Sequence, residues 1–355
     1  MAYFWITLLP FAALFALLVP LRRPAYEAAP LAYLITLAIA LLVWEVSGEV
    51  VAASLLDALV VFVEVLLIVS QALLVLNVTI ETGHMDAIQS LIGSVSRDQR
   101  GLALLLGWGL VGFIEGIAKS LGRVAYAFVP FAVMVIALIL SRTVMPLREM
   151  LQSVSLSFDE FRGIELSQSM TPLYTPYFYF ALALITALIL FRVRRPVLGK
   201  AMVSTWRKLR AASVVLVFII AMTQLLLLSE INAADLPSIP EVLGQGLARI
   251  FNDTYVLVSA FVGALGSFMT GSATVSNLLF GGLQVDTAKA LSMAVPSLLA
   301  LQLVGAAVGN MISLQNIAMA AGAAGLEARE GQVIRETVIP MLVVCLAVGL
   351  LFLSW

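Results

Sequence analysis

The sequence predicts an all-α integral membrane protein: a polytopic helical bundle of about 8–10 hydrophobic segments, arranged as inverted repeats with broken or re-entrant helices. Two observations of composition and one of pattern lead there. Of the 355 residues, 62% are hydrophobic and 12% charged, where soluble domains carry roughly 25% charged residues. Mean hydropathy is +1.06. Apolar segments recur along the whole chain, and small, hydroxylated residues interrupt them at a few places.

A bilayer core of about 30 Å needs roughly 20 apolar residues per helix. The candidate segments are residues 3–19, 29–43, 55–80, 101–118, 124–140, 173–191, 211–228, 254–269, 288–308 and 333–353. The first has no basic residue before it and is followed by Arg22 and Arg23, the order of a retained helix whose start lies outside. The third carries Asp57, Glu64 and Gln71 seven residues apart, with Ser54 and Asn77 near the same face. An acid at membrane depth costs about 3 kcal/mol, so this stripe faces protein or a cavity. It offers proton-coupling candidates in Glu64 and Asp57, or else interhelical hydrogen bonds. His84 follows Thr82-Gly83 at the end of that helix, where a capping residue is the simpler reading.

Segment 101–118 contains Gly107, Gly109, Gly112 and Gly116, which weaken it as a continuous helix. Charge supports a break there. The basic group Arg192, Arg194, Arg195, Lys200, Arg207, Lys208 and Arg210 contains no acid and marks the cytoplasmic side. Five segments separate it from Arg22 and Arg23, so one of them does not cross. With 101–118 re-entrant, Arg97, Arg100, Lys119 and Arg123 share that side, and Glu230, Asp235 and Glu241 fall outside. Glu115 within the broken segment is a third proton-coupling candidate, or an ion-pair partner of Lys119. Lys119 and Arg123 are interfacial anchors or an anion-receiving pair.

Residues 141–171 and 229–253 are polar and look extramembrane. The run Gly263-Ala264-Leu265-Gly266-Ser267-Phe268-Met269-Thr270-Gly271-Ser272-Ala273-Thr274-Val275-Ser276-Asn277 is the most polar stretch within a hydrophobic region. Lipid penalises unpaired backbone and hydroxyl groups, so this run faces protein, water or a solute. Gly112-Phe113-Ile114-Glu115-Gly116 echoes Ser267-Phe268-Met269-Thr270-Gly271, as paired broken helices of two inverted repeats do; small-residue helix packing accounts for the same spacing. Half-helix starts favour a carboxylate. The substrate-binding candidates are Gly116, Thr270, Gly271, Ser272, Thr274, Ser276 and Asn277, with Ser313, Gln315 and Asn316 after Gly309-Asn310-Met311-Ile312. The domains expected are 1–140, a shortened first repeat; 141–210, a polar loop, one helix and a basic cytoplasmic loop; and 211–355, the second repeat.

Several function classes are set aside. One cysteine, Cys345, excludes a disulfide framework, and no His/Cys/Asp cluster has metal spacing. There is no Walker-type loop and no Ser/His/Asp set, so the chain reads as neither an ATP-driven pump nor an enzyme, with no cofactor. With 20 basic and 21 acidic residues, nothing points to nucleic acid.

Several motifs, taken in order, resemble the L-lactate permease family, which includes glycolate permeases. They are Thr82-Gly83-His84-Met85-Asp86 with Asp98-Gln99-Arg100; Gly112-Phe113-Ile114-Glu115-Gly116; Thr270-Gly271-Ser272, Thr274, Ser276-Asn277 and Phe280-Gly281; and Gly309-Asn310-Met311-Ile312, Asn316-Ile317 and Gly325-Leu326. The match runs from about Leu55 to the C-terminus. The resemblance implies a secondary transporter of a small 2-hydroxy monocarboxylate such as lactate or glycolate, coupled to a proton (or sodium), in a prokaryotic plasma membrane, with homodimerisation left open. Three features depart from the family pattern. Ile117-Ala118-Lys119-Ser120-Leu121-Gly122-Arg123 replaces a Gly-Phe-Gly and Pro run, Ala273 stands where Asp or Asn is usual, and the stretch between Glu115 and Pro146 is short by about a hairpin. They leave an alternative: a divergent paralogue that binds a ligand or membrane partner without transport.

Overall fold

The computed structural model describes residues 2–18, 20–85, 121–157, 160–165, 169–324 and 329–353. Segment 101–118, with Glu115 and Gly116, and Lys119 after it lie outside the described residues, and so does the first of the two expected broken helices.

Thirteen α-helices carry the described chain: α1 (Ala2–Leu18), α2 (Ala25–Leu42), α3 (Gly48–Glu81), α4 (Leu121–Thr143), α5 (Met145–Gln152), α6 (Pro176–Leu190), α7 (Arg195–Leu228), α8 (Ile239–Phe251), α9 (Tyr255–Thr270), α10 (Ala273–Ala290), α11 (Val295–Gly309), α12 (Leu314–Ala324) and α13 (Glu330–Leu353). The only strands among the described residues are two-residue pairs, Leu156–Ser157 with Ser169–Met170 and Glu160–Phe161 with Ile164–Glu165. The all-α expectation therefore holds.

Among the described residues, five helices are long and apolar enough to cross a membrane: Ala25–Leu42, Gly48–Glu81, Val124–Thr143, Val295–Ala321 and Glu330–Leu353, with the bent α7 as a sixth. Ala2–Leu18, Pro176–Leu190 and Tyr255–Thr270 are shorter apolar helices. Prolines 10, 30, 130 and 340 sit inside helices, a placement membrane helices tolerate because neighbours satisfy the freed carbonyls.

Three sequence expectations need correction. Segment 288–308 is not one helix: Ala288–Ala290 close α10, Ser292 takes φ 54°, and Pro296 opens α11 in its first turn. Residues 229–253 are not all loop, because Ser238 accepts from the Glu241 amide and starts α8, whose Leu243, Gly244 and Gly246 are buried. The basic run from Arg195 to Arg210 is helical rather than a loop, continuous with the apolar stretch that follows in α7.

By packing, the chain forms two compact units: Met1–Val63, Phe158–Gln168 and Arg210–Trp355 in one, and Glu64–Ser157 and Ser169–Leu209 in the other. In the first, α9 is the central helix, packed by α10, α11 and α13. Tyr255 and Phe280 fill one side with Val262, Ala288 and Leu298, and Ala260, Ala264, Leu301, Met341 and Cys345 fill the other. At its edge, Trp44 Nε1 donates to the Pro237 carbonyl at 2.8 Å, and Phe4 lies against Gly246. In the second, α4 packs on α6, Val78, Ala187 and Ala201 form a core, and Asn77 Nδ2 donates to Thr205 Oγ1 at 2.8 Å.

Candidate functional site

The small-residue run forms a helical hairpin. Gly271 ends α9 in the left-handed region at φ 69°, and Ser272 immediately caps α10 by accepting from the Val275 amide. Glycine belongs at that turn, since a side chain there is strained. Three contacts fix the direction of the return: Ser276 Oγ donates to Gly263 O (2.7 Å), Ser259 Oγ to Gln284 Oε1 (2.9 Å), and Gly266 faces Ser276. The residue numbers of these pairs add to a near-constant value, which only antiparallel packing gives. At 1.5 Å per residue α9 is about 24 Å long, short of the roughly 30 Å core.

Helix α11 runs parallel to α9 and almost touches its backbone. A methyl added at Gly305 would meet the Ala260 carbonyl carbon at 2.6 Å, and one at Gly263 would meet the Ala306 amide nitrogen at 2.8 Å. Close approach of this kind, through small residues, is how helices associate in lipid. It also lets Ser267 Oγ donate to the Ala306 carbonyl at 2.6 Å.

Two buried glutamines complete the interior. Gln284 Nε2 donates to Gln302 Oε1 (3.0 Å), and Gln302 Nε2 reaches Ser276 O (3.2 Å) and Asn277 Oδ1 (3.4 Å). An amide buried without partners costs a few kcal/mol. These partners therefore make the polar layer tolerable and fix three helices in one register. Gln302 went unremarked in the sequence; its position within an apolar segment was the available signal.

The span formed by α11 and α12 is interrupted at Asn310–Ser313, and the hairpin tip meets that interruption. Asn316 Nδ2 donates to Gly271 O at 3.1 Å and to Asn310 Oδ1 at 3.3 Å. The Gln315 side chain faces Gly271, within 3.0 Å of where a Cβ would stand. Ser313 caps α12, its Oγ 3.5 Å from the Asn316 amide nitrogen. Behind the tip, Thr223 Oγ1 donates to Met269 O at 2.8 Å. Thr270 Oγ1 donates to Gly266 O (2.8 Å) and accepts from the Ser272 amide (3.3 Å).

Two helix N-termini, of α10 and α12, thus open at one place. The amides of Ala273 and Thr274, and of Leu314 and Gln315, have no intrahelical acceptors, and each dipole places partial positive charge there. The arrangement suits a carboxylate, with Ser272, Asn316 and Gln315 as neutral hydrogen-bonding groups.

The predicted binding residues do not all share one place. Gly271, Ser272, Gln315, Asn316 and exposed Thr274 stand at the tip, whereas Ser276 is wholly buried and engaged between helices. Thr270 and Ser313 shape the two helix ends, and Asn277 sits one turn inside, beside Gln302. Of the acids, Asp57 is buried and Glu64 half-buried on α3; Glu115 and Gly116 are outside the described residues. His84 stacks on Phe191 at 3.9 Å, with Nδ1 2.9 Å from Thr82 Oγ1, and burial lowers its pKa below the usual histidine value. Among the described residues no cluster of His, Cys, Asp and Glu is placed to hold a metal.

The fold and this site together define a polytopic helical membrane protein built around a helical hairpin that abuts a broken span. The L-lactate permease family profile matches residues 3–122 and 117–354, and the chain belongs to that family. It is 28% identical over 264 residues to a putative L-lactate permease of Haemophilus influenzae, covering 68% of this chain and 49% of that one. Shorter matches reach the glycolate permease of Escherichia coli (strain K12), 42% over 95 residues, 27% of this chain and 17% of that one. The L-lactate permease of the same strain is 39% identical over 97 residues, 27% of this chain and 18% of that one. The chain thus spans about half the length, or less, of the curated relatives it matches. No solved structure matches it. The two pieces of the family match overlap at residues 117–122, within the stretch between Glu115 and Pro146 that the sequence marks as short.

Proposed function

We propose that this chain moves a small 2-hydroxy monocarboxylate, lactate or glycolate, across the membrane as a secondary transporter. The observation that carries the reading is the meeting of the α9–α10 tip with the α11–α12 break, where Asn316 binds Gly271 O. The substrate carboxylate accepts from the N-terminal amides of α10 and α12, and its 2-hydroxyl pairs with Ser272, Gln315 or Asn316. The relatives named for lactate and glycolate support this choice of cargo. Proton symport is the coupling we infer, with Glu64, Asp57 and Glu115 as carriers; sodium is the alternative ion.

The test is uptake of radiolabelled lactate and glycolate into proteoliposomes, with and without an inward proton gradient. Accumulation that needs the gradient supports symport; counts no higher than in protein-free vesicles overturn transport. Ala273, in the first turn of α10 where the family usually has Asp or Asn, favours a second reading, binding without translocation. Saturable lactate binding by a preparation that shows no flux would select it.

A further inference from the structure

We propose that the second unit holds an anionic phospholipid in the groove between α3 and the basic half of α7, independently of any transported solute. The groove encloses about 470 Å³ and is lined by Ser70, Gln71 and Leu74 on α3 and by Val203, Trp206 and Leu209 on α7, a volume within the roughly 300–1,000 Å³ of small-ligand cavities. Its α7 wall is left uncovered: Val203 is 53% and Trp206 65% exposed.

Charge identifies the occupant. Lys200 and Arg207 lie one turn before and one turn after Val203, and both are exposed. Neither forms a salt bridge among the described residues. No acid occupies 192–210, so Lys200 and Arg207 present positive charge on the same face of α7 as Val203. Composition agrees. A run of basic residues without an acid is what the cytoplasmic surface of a membrane protein collects. Trp206 in the groove wall is the residue type that membrane interfaces collect, and a basic, apolar-faced helix segment is the pattern that attracts anionic lipid. An acyl chain lies along Leu74, Val203 and Leu209, and the phosphate rests between Lys200 and Arg207.

The test reconstitutes the full chain in phosphatidylcholine vesicles and titrates in phosphatidylglycerol carrying brominated acyl chains. Quenching of Trp206 is read by subtracting the W206F variant. The expected result is half-quenching at a mole fraction well below that needed with brominated phosphatidylcholine. K200Q/R207Q should raise that fraction by roughly fivefold per charge removed, and K200E/R207E should raise it further, to the phosphatidylcholine value. Equal quenching by the two lipids, or a flat series across the variants, overturns the proposal. So does displacement by free glycerol phosphate, which would mark a site for a soluble anion.

Discussion

Replacing Gly305 by alanine should loosen the hairpin at its tightest point. The added methyl would stand 2.6 Å from the Ala260 carbonyl carbon and 2.8 Å from its Cα, both backbone atoms. Carbon atoms pack at about 3.5–4.0 Å, so α9 and α11 must part by roughly 1 Å. Overpacking of that kind costs about 1–3 kcal/mol. The same movement stretches the 2.6 Å bond from Ser267 to the Ala306 carbonyl and weakens a buried pair worth about 0.5–1.5 kcal/mol. A loss of about 2–4 kcal/mol follows. The chain supplies its own reporter: Cys345 is its single cysteine and lies fully buried, with Sγ 3.9 Å from Ala260 O. Its reaction with a thiol-specific fluorophore on heating reads the opening of α9. G305A should lower that midpoint by several degrees. G281A, where an added methyl meets nothing within 4 Å, should leave it unchanged or raise it, because alanine favours a helix by about 0.5–1 kcal/mol over glycine. Equal midpoints for G305A and wild type would refute the packing argument.

Three further outcomes are expected. Gln302→Leu removes one of the two acceptors of Gln284 Nε2, leaving Ser259 O, and takes the Gln302 donor from Asn277 Oδ1 and Ser276 O, so the Cys345 midpoint should fall as for a loss of about 1–3 kcal/mol; Gln302→Glu should not restore it. Gly271→Ala forces a side chain into φ 69° and against Gln315, costing about 1 kcal/mol, and uptake should drop more than stability does; Gln315→Ala in the same chain should recover part of the stability and none of the uptake. Burial holds the His84 pKa below its unfolded value, so the folded form resists protonation. Its stacked contact with Phe191 contributes fully above the ordinary histidine pKa and less as pH falls through that range. Acid should therefore lower the wild-type midpoint more than that of His84→Phe, as measured by melts across the acidic range.

The sequence pattern marked most of the helices because apolar length is the dominant signal in lipid, and the break after Thr270 was visible in Gly271 and Ser272. Other elements were hidden for identifiable reasons. Helix α8 was masked by Pro237 and Pro240, which suggest a loop until Ser238 is recognised as a cap with Pro240 in the first turn. Segment 288–308 looked continuous because the turn at Ser292 is flanked by apolar residues on both sides. The hydroxyl-rich run did not disclose which groups face a neighbour: Ser276 and Ser267 are used between helices, whereas Thr274 is exposed. That sorting depends on the partners Gly263 and Ala306, which lie thirteen and thirty-nine residues away.

The central claim is that a substrate carboxylate sits at the joined N-termini of α10 and α12, and the most direct measurement is lactate binding by purified wild type and Thr274→Asp. Thr274 is exposed in the first turn of α10, where an added carboxylate stabilises a helix by about 0.3–1 kcal/mol, so the fold should be intact. The same charge occupies the anion site. Saturable equilibrium binding of radiolabelled lactate by wild type, weakened at least about tenfold in T274D (about 1.4 kcal/mol) with an unchanged or higher Cys345 midpoint, is the predicted result. Equal lactate affinity in the two proteins would contradict it.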